Sequence, residues 1–341
     1  MAVTVAAPSR AVLMECIRAG VLAPSLHNSQ PWRFRVGRGR VDVYADRGRR
    51  LSVLDPGGRE LMMSVGAAVF TMRVALRRSG FVPRLELFPD VDETDLVARI
   101  GAVRFAAPTA AAEVLADAIP RRHTNRWPFA RRSVAAESLH QLRDAAHREG
   151  AFLSVARSDA TEAILDLARA ADQVLRGRPG YRSELARWAA AGGGEGVPVS
   201  AMGPRDRLRT VPVRHFAEVL PFPLPSERFE PHPTIVVLGT TGDTVFDHIR
   251  AGQALQRVLL TATSLGLAAT PISQPAELAA TRDRLAAAMS GASPQIVLRV
   301  GHGRTVPPTP RRPLEDALLP SDGRAPSAAP RAARSRRWAP R

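Results

Sequence analysis

The sequence contains one cysteine, Cys16, in 341 residues and no lysine at all. A lone cysteine excludes an intrachain disulfide and a cysteine-based metal cluster, and it fits a reducing, cytoplasmic setting. Without lysine, all 48 basic residues are arginine; against 32 acids they give a formal charge of +16. That charge attracts anions, phosphorylated cofactors and nucleic acid alike, without choosing between them. Aromatic residues make up only 5%, so the core must be built mainly from Ala, Val and Leu. No uncharged apolar run reaches the roughly 18 residues that a membrane span needs. Arg10, Glu15 and Arg18 interrupt the first apolar stretch, so it does not read as a signal peptide. Several chemical signatures are missing too. No GxGxxG opens a helix, and there is no GxxxxGK(S/T), HExxH or GxSxG. The histidines, at 27, 123, 140, 147, 215, 232, 248 and 302, show no metal-ligand spacing, and no metal is expected.

At 45% apolar and 23% charged, the chain has an ordinary globular balance, long enough for two modest lobes or one large domain. Residues 8–22 read as a helix capped by Ser9, with Val12, Leu13, Cys16, Ile17 and Val21 at helical spacing. Phe34–Val36 and Arg40–Tyr44 read as strands joined at Gly37–Gly39. Residues 59–79 form a strong helix ended by Gly80, followed by strands around Pro83–Phe88 and Leu96–Val103 and a helix over 110–119. A helix is expected at 135–149, a strand at 151–156 and a helix at 159–175. Residues 177–233 are rich in Gly and Pro with little periodicity, the mark of a functional lid or a disordered insert. Order resumes with strand 234–239, helix 244–265 and strand 295–300. Residues 321–341, rich in Pro, Ala, Ser and Arg, are expected to be disordered.

A weak internal repeat links the halves. Gly66 and Gly80 in and after the first long helix match Gly252 and Gly266 around the second, with the same 14-residue interval. Each helix is followed by an Arg-apolar-Gly strand end, Arg99-Ile100-Gly101 and Arg299-Val300-Gly301. Two related lobes explain this pattern; Ala-rich helices ending in Gly are also common by chance.

Four segments carry candidate chemistry. Pro24-Ser25-Leu26-His27-Asn28-Ser29-Gln30-Pro31 packs short polar side chains between two prolines. It reads either as a turn-rich loop or as a rigid ledge offering N–H groups, a hydroxyl and amides to a polar planar ligand. In Arg121-Arg122-His123-Thr124-Asn125-Arg126, the alternate residues Arg122, Thr124 and Arg126 project to one side if the chain is extended, so two guanidinium groups and a hydroxyl would face one ligand. A solvated basic run before a helix explains it equally well in so Arg-rich a chain. Pro310-Arg311-Arg312-Pro313 reads as a phosphate clamp or a basic linker. Ala269-Thr270-Pro271-Ile272-Ser273-Gln274-Pro275 reads as a Pro-bounded connector, able to present a backbone N–H to a ligand.

In order and spacing, APSLHNSQPWRFRV, RELMMSVGAAVFTMRVALRRSG, RRHTNRWPF, AGQALQRVLLTATSLGLA, PISQPAE and PQIVLRVGHG followed by TPRRPLEDAL resemble the nitroreductase superfamily, and more closely its actinobacterial Acg-type branch. The resemblance spans about residues 8 to 320. It implies an α+β nitroreductase-like fold whose two lobes, 1–117 and 118–320, form a pseudo-dimer within one chain, with a lid or insert at about 177–233. It further implies bound flavin mononucleotide (FMN). Arg122, Thr124 and Arg126 map onto the element contacting phosphate, ribityl and pyrimidine edge. Pro24, Ser25 and Asn28 map onto the Pro-Ser-x-x-Asn element of the other lobe. Arg311 and Arg312 map onto the basic pair at the phosphate, and Ser273 and Gln274 onto the loop beside flavin N5, where many relatives carry Glu-Gly. The first lobe lacks an Arg-x-Ser/Thr-x-Arg element before its opening helix, and the second lacks a Pro-Ser-x-x-Asn ledge after residue 147. One site is therefore expected.

The function implied is hydride transfer from NAD(P)H through FMN to quinone or nitro acceptors, with no side chain nominated as general acid or base. Flavin storage without turnover is the alternative. Nucleic-acid binding has only the charge in its favour, since no reader motif or aromatic platform is present. The chain is expected to act as a monomer with its internal pseudo-dimer, or as a further homodimer.

Overall fold

A computed structural model of the chain describes residues 7–189, 194–214, 216–287, 289 and 292–320. The stretch 321–341, expected to be disordered, lies outside the described residues. The first lobe runs α1 (Arg10–Gly20), β1 (Trp32–Gly37), β2 (Arg40–Ala45), α2 (Arg59–Arg78), β3 (Phe81–Leu87), β4 (Leu96–Phe105) and α3 (Ala110–Ala118). The chain continues through α4 (Ala136–His147), β5 (Phe152–Val155), α5 (Ser158–Arg176), α6 (Tyr181–Ala189), α7 (Val199–Met202), β6 (Arg205–Asp206) and β7 (Ser226–Glu227). It closes with β8 (Thr234–Thr240), α8 (Val245–Ser264), β9 (Ala268–Ile272), α9 (Gln274–Glu277), α10 (Ala279–Ala287), β10 (Ser293–Gly301) and α11 (Leu314–Ala317).

The repeat is real in three dimensions. One antiparallel sheet has the order β1-β2-β4-β3 and the other β5-β8-β10-β9. Each follows a leading helix, places a 20-residue helix after its second strand and finishes with a strand pair. The long helices α2 and α8 pack against each other at the centre. Gly66 and Gly252 mark their crossing. A Cβ at Gly66 would collide with the Ile249 carbonyl, and one at Gly252 with the Met63 carbonyl. Only glycine lets the two backbones approach so closely. Polar ties accompany the crossing: Gln256 Nε2 donates to Thr71 Oγ1 at 2.9 Å, and Arg73 Nη1 to Gln253 Oε1 at 2.7 Å. α2 is buried almost all round, as befits the central helix of a two-lobed core.

The lobes differ at one hairpin. β1 turns directly into β2 through Arg38 and Gly39, whereas the chain between Val155 and Thr234 is inserted between the paired strands β5 and β8. The expectation of a lid or disordered insert over 177–233 needs correction in its second half. Where it is described, this stretch carries α6 and a core of its own: Tyr181, Leu185 and Trp188 pack with Leu51, Leu54, Leu175 and Phe216. Those apolar residues are helically spaced, but the run is short and flanked by glycine, which hides the period. A second correction concerns residues 269–275. The expected connector contains β9, paired with β10 through Pro271 opposite Leu298. Proline is tolerated there because β9 is an edge strand.

The lobes also exchange segments. After α3 the chain crosses to the second sheet, where Thr124 bridges Ala269 and Asn125 N–H donates to the Ala269 carbonyl at 3.0 Å. After β10 it returns to the first sheet, where Leu318 bridges Phe34 and Ala317 joins the first lobe's core.

Candidate functional site

The ledge after α1 is strained. His27, Asn28 and Gln30 have φ of 48°, 57° and 51°, a region that side-chain-bearing residues rarely adopt. Each such residue costs on the order of 1–3 kcal/mol and persists only where its surroundings enforce it. Here the Gln30 N–H donates to Ser25 Oγ at 2.9 Å, and the Leu26 N–H to Ser64 Oγ at 3.3 Å. Asn28 and Gln30 also reach the insert. Asn28 Nδ2 donates to the Gly196 carbonyl at 3.0 Å and Gln30 Nε2 to that of Gly194 at 2.8 Å.

Between this ledge, α2, α8 and β9 lies a pocket of about 100 Å³. Met63, Leu255, Leu259 and Ile296 supply its apolar walls, while Arg214 and Phe216 close it from the insert. Six of the ten nominated residues meet there: Pro24 and Ser25, Thr124 and Arg126, Ser273 and Gln274. Three buried atoms of its lining have no hydrogen-bond partner, namely His27 Nδ1, Glu60 Oε2 and Arg214 Nη1. Unpaired polar atoms in such a place are costly unless a ligand completes them.

Electrostatics differ sharply from atom to atom. Burial, reinforced by the Arg214 and Arg126 charges, pulls His27 well below the usual imidazole range, so its ring is neutral. Burial, with Glu277 nearby, pushes Glu60 well above the usual carboxylate range despite the Arg59 guanidinium beside it. Burial draws Arg126 down to about 10, with Arg214 adding repulsion. Arg214 itself faces a burial penalty that Glu277 outweighs, leaving it raised. Its guanidinium donates to both Glu277 oxygens at 2.5 and 2.6 Å, and Ser273 Oγ donates to Glu277 Oε1 at 2.6 Å.

The other four nominated residues do not line the pocket; they sit at the end of α1 and along the return arm. Arg311 donates to the Val21, Leu22 and Ala23 carbonyls and to Asn28 Oδ1. That is a cation placed on a helix C-terminus. Arg122 shares the Leu22 carbonyl at 3.3 Å, and its Nε is unpartnered. Arg312 donates to the Gln30 and Trp32 carbonyls and likewise leaves Nε unpartnered. Among the described residues none of these three arginines pairs with an acid. Burial and the Arg311 charge draw Arg122 down to about 9, so it is still charged at neutral pH.

No family model matches the chain. It is 36% identical over 327 residues to a Mycobacterium tuberculosis protein named "Putative NAD(P)H nitroreductase Rv3131", covering 91% of this chain and 92% of that one. It is 30% identical over 314 residues to the same organism's "Putative NAD(P)H nitroreductase acg", covering 90% and 95%. The chain belongs to the nitroreductase superfamily, in its Acg-type branch. Among solved structures it is similar to the FMN-dependent nitroreductase NfnB from Mycobacterium smegmatis in complex with NADPH. That match has a TM-score of 0.41 and 15% identity, over 62% of this chain and 99% of that one.

This Acg-type chain has site residues that sequence reasoning missed. His27 stood inside the quoted ledge without being nominated. Glu60 carried a signal, as an acid in the first turn of a long, largely apolar helix. Arg214 and Phe216 carried none, because they fall in the aperiodic insert. Among the described residues no His, Cys, Asp and Glu cluster is arranged to hold a metal ion, and no helix is long and apolar enough to cross a membrane.

Proposed function

We propose that the chain binds one FMN across its two lobes, taken as residues 1–117 and 118–320, and oxidises NAD(P)H at the expense of quinone or nitro acceptors. The observation that carries this reading is the pocket between α2 and α8. Its apolar walls, with the unpartnered His27 Nδ1 and Arg214 Nη1, fit a planar ring with hydrogen-bonding groups on its edge. A cluster of acid-free arginines beside it fits a phosphate. The names of the relatives point the same way. When bound, FMN supplies two-electron hydride chemistry; the protein supplies position and electrostatics.

The chain's residues divide that work. Pro24 and Ser25 on one side and Thr124 and Arg126 on the other orient the ring and ribityl chain, with Asn28 holding the ledge in shape. Ser273 and Gln274 stand at the reactive edge, where Ser273 is fixed by Glu277. Arg122 and Arg312 offer free Nε–H groups to the phosphate. Arg311, whose donors are already engaged, contributes charge. Phe216 and Arg214 exclude water from above.

The visible spectrum of the purified protein tests the cofactor, with absorption bands of oxidised flavin expected. A colourless protein that takes up no added FMN would overturn the reading. NADH or NADPH oxidation with menadione or a nitrofuran tests turnover. Tight flavin without oxidation would leave a flavin-holding protein instead.

A further inference from the structure

Glu60 stands in the first turn of α2 with its side chain 7% exposed, and it faces the pocket. One carboxyl oxygen, Oε1, accepts from Arg59 Nη2 at 3.1 Å, while the other, Oε2, has no partner. Of the other polar groups near it, the Ser64 and Ser273 hydroxyls and the Gln274 amide are already committed, and the Ser25 and Thr124 hydroxyls are far weaker acids than a carboxyl group. Ser64 Oγ donates to the Glu60 carbonyl, Ser273 Oγ to Glu277, and Gln274 Nε2 to the Pro212 carbonyl. His27 is a neutral ring between two guanidinium groups and has no acidic proton to give. The groups acting on Glu60 are Arg59 on its own helix, Asp55 before that helix, Glu277 of α9 and Arg214 of the insert. Burial and the two neighbouring carboxylates outweigh the two cations and raise its pKa well above the usual carboxylate range, which favours the protonated acid.

We infer that Glu60 is the proton donor to the electron acceptor reduced in this pocket. The inference rests on the flavin reading above. A quinone that receives a hydride, with NAD(P)H as the reductant, becomes a hydroquinone monoanion. The O–H bond of Glu60 breaks and a new O–H bond forms on the acceptor oxygen. The electron pair stays on the carboxylate between Arg59 and Arg214, and a solvent proton restores the acid before the next turnover. General acids of this kind accelerate their step by about 10²–10⁴-fold.

Glu60→Gln tests this, because glutamine copies the shape of the protonated acid. With flavin content equal to wild type, reoxidation of the reduced protein by menadione is expected to slow about 100-fold and to lose its pH dependence. Glu60→Asp, which keeps an acid, recovers part of the rate. Infrared difference spectra give a readout independent of turnover. A protonated-carboxyl band that shifts in D₂O is expected in wild type, with or without flavin, and disappears in Glu60→Gln. Absence of that band, or an unchanged reoxidation rate in Glu60→Gln, overturns the inference. If the glutamine variant does not accumulate as folded protein, Glu60→Asp takes its place, and a band left at the wild-type position overturns the inference. A protein that shows the band yet takes up no FMN sinks the cofactor reading, so the two failures are told apart.

Discussion

The arginine of the repeated Arg-apolar-Gly run, which ends β10 but lies midway along β4, has a different setting in each lobe. Arg99 lies opposite Asp42 in the sheet and pairs with it at 2.8 Å, partly open to solvent. Arg299 occupies the matching place on β10, but its cross-strand neighbours are Ile235 on β8 and Thr270 on β9, neither of them acidic. Its acid is Glu230, delivered by the insert at 2.6 Å, and its guanidinium lies on the Phe129 ring and is fully buried. The first lobe is self-contained at this position, whereas the second is completed by the segment inserted at its hairpin. That segment also supplies Arg214 and Phe216 to the pocket. The lobes share a plan, and the insertion is what separates them.

The largest test of this difference is the pair Arg299→Ala and Arg99→Ala. Removing Arg299 leaves Glu230 buried and unpaired, so a loss of about 3–5 kcal/mol is expected. Removing Arg99 from a half-open pair is expected to cost less than about 1 kcal/mol. Urea denaturation of both variants reads the contrast, and equal losses would break it. Where the lobes are alike, losses should match. Gly66→Val and Gly252→Val each overpack the α2–α8 crossing and are expected to cost about 3 kcal/mol. Unequal values from the same measurement would mean that the crossing is less symmetric than the backbone geometry indicates.

Two smaller effects probe the site. Arg122→Ala removes a charge-assisted contact and is expected to weaken FMN binding by about 1.5–3 kcal/mol, roughly 10- to 100-fold. Flavin-fluorescence titration measures it, and unchanged affinity would remove Arg122 from the phosphate site. Asn28→Ala loses the ties to Gly196 and Pro310. It is expected to cost about 1 kcal/mol. Limited proteolysis should then cut first within 177–233, and an unaltered pattern would show that the ledge does not fasten the insert.

Much of the fold was legible because the long elements carry redundant signals. α2 and α8 combine helical spacing, a first-turn acid and a terminal glycine, so both could be read to within a residue or two. α6 has the spacing but too few turns to stand out, and β9 was masked by Pro271, which only its edge position permits. In the site, alternation along 122–126 brought Thr124 and Arg126 to the pocket, and the two-proline bracket marked the ledge. Glu60 and Arg214 escaped for another reason. Their meaning lies in burial and in Glu277, a neighbour far away in sequence, and no local pattern records that.

The exchange of segments between the lobes has a consequence for dilution. A pocket shared by two separate subunits is lost once their concentration falls below the dissociation constant. Here segment 122–126 is laced onto one sheet and Leu318 onto the other within a single chain. The two halves therefore meet at a fixed effective concentration. The pocket should be as complete in a single molecule as in a concentrated solution.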